Sequence, residues 1–470
     1  MSPTGSAPAT PQIVRARSLP AGATEVPVAV VGAGACGLTA ALFLRDAGID
    51  GVLLERDPAP QGSTALSSGF IPAAGTRVQH AAGVLEDTPA TFAADIQAKA
   101  RGTAAPHLVA SYTEAIAPAL DALQERHGVT FELLDGFLYP GHRRRRMHAL
   151  SERTGAALLA TLETAAGRAG ATVLTDARAV ELWVAQDELG GAPPRVLGIG
   201  FARPDGRVEH LACQALLLAC NGFGGNPAMV REWLPEMREA TFAGHAGNDG
   251  SAIAWGRALG AGLADLGGYQ GHGSWAVPQG ALITWALMME GGIQVNASGE
   301  RFHDETAGYS EASVQVLAQP GAVVWNVFDD RLLALGRTFP DFAAAEAAGA
   351  VRDADDAAAL AAIIGCNASR LHAALATTRL AAPFHAIKVT GALFHTQGGL
   401  DIDAHCRVLR AADRAPFPNL LAAGGAARGV SGNAVWGYLS GNGLLSAVAG
   451  GFIAARTMAR ALPLPVTKAT

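Results

Sequence analysis

Three glycines and one acid near the start of the chain are spaced for phosphate and ribose chemistry. Gly32-Ala33-Gly34-Ala35-Cys36-Gly37 is a G-x-G-x-x-G loop, and Glu55 lies eighteen residues after Gly37. In such a loop Gly32 permits the tight turn. Gly34, with Ala35 beside it, lets backbone approach a pyrophosphate, and Gly37 lets the following helix lie close on its strand. The helix N-terminus turns its partial positive charge toward the phosphates, and the acid accepts hydrogen bonds from a ribose hydroxyl. The chemistry implied is that of a bound dinucleotide. Cys36 reads as a small filler rather than a reactive thiol. The five cysteines, Cys36, Cys213, Cys220, Cys366 and Cys406, show no paired metal-type spacing, so no metal site is expected and a reducing, cytoplasmic setting fits. The basic run Arg143-Arg144-Arg145-Arg146 reads as a solvated loop.

The loop needs a strand before it and a helix after it, and the sequence supplies both. Val28-Ala29-Val30-Val31 is a buried strand, Leu38 to Ala47 carries apolar residues at helical spacing, Gly48 ends it, and Val52-Leu53-Leu54 is the second strand of a βαβ unit. Further along, 75–145 is mostly helical in pattern, Ala171 to Val184 alternates like strands, and Ala215 to Ala219 is a buried strand ended by Asn221-Gly222-Phe223-Gly224-Gly225. Phe342 to Ala362 reads as Ala-rich helix, Leu420 to Ala423 as a strand returning to the first sheet, and Leu444 to Met458 as a closing helix.

At 470 residues the chain is long enough for two cores. Half its residues are hydrophobic, with 57 glycines, which suits an α/β fold with tight helix–sheet contacts. A net charge of -6 disfavours a nucleic-acid partner. No run of about 18 apolar residues suggests a membrane span. The first 26 residues are rich in Pro, Ala, Thr and Ser and read as a loose arm.

Several segments in order resemble the fumarate reductase/succinate dehydrogenase flavoproteins: Gly62-Ser63-Thr64 through Ser67-Ser68-Gly69, Arg153-Thr154-Gly155 with Leu158-Leu159 and Thr161-Leu162, Asn221-Gly222-Phe223-Gly224, Gly299-Glu300-Arg301-Phe302, and His395-Thr396-Gln397-Gly398-Gly399. The resemblance spans 27–458. It implies a Rossmann-like FAD-binding domain over 27–265 and 388–465, with a smaller α+β capping domain inserted at 266–387. It also implies FAD held by Ser63, Thr64, Ser68, Gly69, Ala179, Asn221, Gly222, Gly424, Asn442 and Leu444 besides the glycine loop. Relatives with covalent flavin carry a histidine at the position of Ser63, so the FAD is expected to be non-covalent. Their late strand ends Gly-Glu or Gly-Asp where this chain has Gly424-Gly425, so one cofactor contact is missing or replaced.

The same resemblance bears on the reaction. Fumarate reductases place a proton-donating arginine seven residues after the Phe of the fourth segment, and this chain has Tyr309 there. It is similar in this to the ketosteroid dehydrogenase branch, in which that tyrosine is a base and a second tyrosine with a glycine amide polarises the ketone. Tyr438, with Gly443 or Asn442 supplying the amide, would be the second pair, in a turn one residue longer than that branch carries. Removing a proton from the α-carbon of a ketone needs donors aimed at the enolate oxygen and a tyrosine base with a lowered pKa, while the flavin takes the β-hydride. His272 and His395 match histidines that hold substrate carboxylates. The reductases' second carboxylate-binding arginine has no match between Gly432 and Gly441, and Arg428 is the nearby substitute. Trp275, Trp285 and Trp436 suggest a small pocket.

The expected activity is desaturation of a small cyclic ketone such as cyclohexanone or 4-oxocyclohexanecarboxylate, with oxygen, a quinone or a carrier as electron acceptor. The alternatives are an enzyme acting on a polycarboxylate, as fumarate reductases or a tricarballylate dehydrogenase do, and a flavoprotein electron-transfer subunit.

Overall fold

The computed structural model describes residues 11–135, 138–186 and 194–462. Its main sheet has nine strands. Thr24–Val31 lies at its centre, parallel to Val208–Leu218 on one side and Gly51–Leu54 on the other. Val28 to Val31 are buried, as an unbroken apolar run in a parallel sheet requires. Thr172–Leu174 extends the sheet beyond Gly51–Leu54, and Pro416–Ala422 returns parallel to the far end of Val208–Leu218. Helix Ala35–Asp46 follows the glycine loop and is buried from Ala35 through Leu44, packed between the sheet and the closing helix Asn442–Ala461. The crossing is close: a Cβ on Gly451 would stand 2.4 Å from the Cys36 carbonyl oxygen. The glycine richness is used in such contacts.

A second sheet of seven strands forms the cap. Its spine is Phe384–Thr396, paired with Tyr269–Ala276, Val323–Asp329, Val351–Ala354 and Thr241–Phe242. The expected division at 387/388 therefore falls inside one strand. That strand runs from the cap to His395 and Thr396, beside the main sheet's loops.

Three further expectations are corrected. The arm over 1–26 is not loose throughout: Gln12–Ala16 is a strand parallel to Arg178–Ala185, tied also by the Trp255 indole to the Gln12 carbonyl at 3.1 Å. The Ala-rich helix over 342–362 is two helices, Pro340–Ala347 and Ala357–Ile364, with Gly349 and the strand Val351–Ala354 between them. Glycine at positive φ ends the first helix. Finally, the basic run is not a solvated loop at its end. Arg146 is 1% exposed and makes paired hydrogen bonds to Asp87 and another to Asp95. A planar guanidinium can satisfy two carboxylates at once, which is what makes its burial tolerable. It pins helix Pro89–Lys99 to the 140s loop.

Candidate active site

The glycine loop builds the first half of a long trough. A cavity of about 900 Å³ is lined by Gly32, Gly34, Ala35, Glu55, Ser63, Thr64, Ala179, Asn221 and Gly424, among others. Gly32 has φ +108, which a side chain would strain. The Glu55 carboxylate accepts the Ala33 amide at 3.1 Å and the Asp57 amide at 3.1 Å. Burial raises its pKa while those amides oppose the rise. Thr64 accepts the Ala35 amide at 3.0 Å, tying the two cofactor loops together. Ser63 receives the amides of Asn221 at 2.8 Å and Asn248 at 2.9 Å. Burial pushes the Cys36 thiol up to about 12, so it stays protonated and inert, as a filler would.

A second cavity of about 1350 Å³ shares Ser63, Thr64, Asn221, Gly424, Gly425 and Ala447 with the first. The two therefore form one trough. Ser68, Gly443 and Leu444 line the second part, with Tyr309, Tyr438, His272 and His395. Gly37, Gly69, Gly222 and Asn442 stand behind the lining: each of the three glycines backs onto main chain or a side chain at under 3 Å from a would-be Cβ, and Asn442 is fully buried with its Nδ2 on Ser431. Gly425, where the resemblance led to the expectation of an acid, has a physical reason: a Cβ there would be 2.1 Å from Asn221 Oδ1. Ser446 Oγ lines the trough and has no hydrogen-bond partner among the described residues. It lies near the start of the 20-residue closing helix, whose partial positive charge suits an electron-rich ring. A dinucleotide with a flavin fits this trough.

The substrate part of the cavity is aromatic and uncharged except at one point. Tyr309 and Tyr438 stand with ring centroids 6.1 Å apart at 61°. Tyr309 opens helix Tyr309–Leu317, and its hydroxyl donates to Ser440 Oγ at 2.9 Å. Burial, and next the Tyr438 phenol, hold Tyr309 well above the ordinary tyrosine range, so the protein groups alone do not lower it as the sequence reading required. Burial also raises Tyr438, against an opposing pull from the Gly443 and Gly441 backbone. Gly443 lies beside both rings: a Cβ there would stand 2.8 Å from the His395 ring and 3.6 Å from the Tyr438 hydroxyl. His272, on strand Tyr269–Ala276, stacks on Tyr309 at 4.8 Å and on Phe394 at 5.5 Å. The Ser274 amide donates to its Nδ1 at 3.1 Å, so the neutral ring carries its proton on Nε2. Burial lowers His272 to about 3 and His395 to about 4. Neither brings a charge. Trp285 lines the cavity; Trp275 lies behind it, edge-on to Phe394.

Two expected substrate contacts are not brought here. Arg428 is bound to Asp265 at 2.6 Å and to Asp401 at 3.5 Å, because the adjacent acids of the cap junction take its guanidinium. Trp436 lies under the Arg101 guanidinium at 4.4 Å, half-exposed on the outer side of its turn. Sequence reading missed Ser440, although it lies within the quoted Tyr438-Leu439-Ser440 turn. It also missed Asp341 and Tyr139, which line the cavity and carry no spacing signal.

Fold and site together define an FAD-dependent oxidoreductase. Residues 27–444 match the FAD binding domain family FAD_binding_2, and the chain belongs to that family. It is similar to the NADH:fumarate oxidoreductase of Klebsiella pneumoniae (strain 342), 28% identical over 436 residues. That match covers 86% of this chain but spans only 45% of the relative's length. It is similar to the 4-oxocyclohexanecarboxylate 2-dehydrogenase of Sinomonas cyclohexanicum, 25% identical with 85% of this chain and 87% of the relative covered. Its fold is similar to the open conformation of a flavocytochrome c3 fumarate reductase, with TM-score 0.78 and 25% identity over 94% of this chain and 79% of that one. Among the described residues no helix is long and apolar enough to cross a membrane.

Proposed function

We propose that the enzyme introduces a C=C bond next to the carbonyl of a small, neutral cyclic ketone of the cyclohexanone type, with FAD held non-covalently. The observation that carries this reading is the pair of buried phenols at 309 and 438 beside the flavin trough. Burial keeps Tyr438 neutral. Its hydroxyl donates to the ketone oxygen, with the Gly443 backbone beside it, the Asn442 amide being taken by the Leu439 carbonyl. Tyr309 takes the α-proton. It does so as the phenolate, which the Ser440 hydroxyl, 2.9 Å away, stabilises by donating to it. FAD, when bound, supplies the acceptor for the hydride leaving the β-carbon.

The charge of the cavity favours a neutral ring over a keto acid or polycarboxylate. No Lys or Arg lines it among the described residues, its histidines are neutral, and its one charged side chain is Asp341. Burying a carboxylate there without a cation would cost several kcal/mol. The named relative that acts on 4-oxocyclohexanecarboxylate supports the ring ketone, and this cavity argues for losing the acid.

Anaerobic bleaching of the flavin tests the reading against cyclohexanone, 4-oxocyclohexanecarboxylate, a 3-ketosteroid, succinate and tricarballylate. Cyclohexanone should reduce the flavin fastest, at least about tenfold ahead of the keto acid. Reduction by succinate with none by cyclohexanone would replace this reading with a polycarboxylate one. Tyr438→Phe should lower kcat for cyclohexanone roughly a hundredfold. An unchanged kcat would remove Tyr438 from the ketone site.

A further inference from the structure

Tyr309 stands at the first position of its helix, where position is hard to fix. The N-cap is Gly308 at φ 134 and ψ 157, with no side-chain cap bond, and glycine is the most freely rotating residue available. What holds this turn comes from another part of the chain. Lys99 ends helix Pro89–Lys99, in the 75–145 segment of helical pattern, an insertion in the FAD-binding domain. Its ammonium donates to the Ala307 carbonyl at 2.9 Å and forms an ion pair with Glu311. It thus bridges residues two before and two after Tyr309. The pair is largely shielded: the side chains are 11% and 22% exposed, so it is stiffer and less screened than a surface pair. The fit leaves no slack, since a Cβ on Gly308 would stand 2.6 Å from Glu311 Oε2 and 3.1 Å from Lys99 Nζ.

The same insertion holds the other side of the tyrosine. His142 Nε2 lies 2.9 Å from the Ser440 carbonyl, and Ser440 Oγ accepts the Tyr309 hydroxyl. The buried Arg146–Asp87–Asp95 cluster fixes helix Pro89–Lys99 to this loop. The cap therefore carries Tyr309, but the insertion aims it.

We infer that Lys99 is a positioning residue, which holds Tyr309 at the reacting carbon by clamping Ala307 and Glu311 on either side of it. The inference rests on Tyr309 being the group that exchanges a proton with the ketone. An ångström of misplacement at such a group costs about a hundredfold in rate while leaving substrate binding alone.

The test uses the FAD-loaded full chain and anaerobic stopped-flow reduction by cyclohexanone. Lys99→Met should lower the limiting reduction rate by roughly 10- to 100-fold, with the half-saturating ketone concentration and FAD content as in the parent. Lys99→Arg, which keeps the cation, should recover most of the rate. Should Lys99→Met not yield holoenzyme, Glu311→Gln removes the ion pair with little change of shape and must show the same rate-only loss. A parental rate in Lys99→Met, a loss confined to half-saturation, or an Arg variant no better than Met overturns the clamp. Tyr309→Phe runs alongside. If it is inactive while Lys99→Met is normal, the clamp alone fails; if it is reduced at the parental rate, the proton-exchange reading fails with it.

Discussion

Tyr309→Phe is expected to leave a yellow, folded protein whose flavin is no longer bleached by cyclohexanone. The substitution removes one oxygen and little else. The ring keeps its stack on His272 at 4.8 Å and its edge contacts to Trp285 and Tyr438, and Ser440 loses one hydrogen bond. The stability cost is therefore about 1 kcal/mol. The rate loss is far larger, because a positioned acid–base group contributes about 10²- to 10⁴-fold and no other described side chain of the cavity stands in its place. Asp341 also lines the cavity and is itself raised by burial; if it were the true base, Tyr309→Phe would be reduced at the parental rate. Flavin absorbance under nitrogen after mixing with ketone reads the outcome directly. A variant bleached as fast as the parent would leave the proton chemistry to another residue and remove the basis for ketone desaturation.

The cofactor half of this site was legible in the sequence, and the substrate half only in part, for a physical reason. Phosphate binding is done by backbone, so it leaves its mark as glycines at fixed spacing. Gly32, Gly34, Gly37 and Glu55 fall within thirty residues and their geometry follows from one strand, one turn and one helix. The reacting side chains come from remote segments. Tyr309 is placed by a cap helix, His272 and His395 by paired cap strands, and Tyr438 by the turn before the closing helix. Family resemblance could align those positions. It could not show that Arg428 faces Asp265, that Trp436 lies outside, or that burial raises Tyr309 rather than lowering it. Those outcomes depend on neighbours contributed by other elements. The same holds for Lys99, 210 residues before Tyr309, whose role exists only once the insertion packs on the cap.

Gly37→Ala should abolish FAD binding and cost stability as well, whereas Gly34→Ala should affect FAD binding alone. The two positions differ in what a methyl would meet. At Gly37 it would stand 1.9 Å from the Gly32 carbonyl oxygen and 3.3 Å from Val30 Cγ1. Main chain cannot rotate aside, so the start of helix Ala35–Asp46 must lift off its strand. That strains a fully packed junction by about 1–3 kcal/mol or more and moves the Ala33 and Ala35 amides that Glu55 and Thr64 hold. At Gly34 the methyl would meet only Thr64 Oγ1 at 3.4 Å, an ordinary contact. It would project into the cradle, where a pyrophosphate must approach backbone. Thermal melts without FAD and with excess FAD separate the effects, since a ligand stabilises only a fold that binds it. The Gly34 variant should melt like the parent apoprotein and gain nothing from FAD. The Gly37 variant should melt lower in both conditions. A Gly37→Ala protein that purified fully yellow with the parental melting point would mean the loop does not hold the cofactor in this geometry.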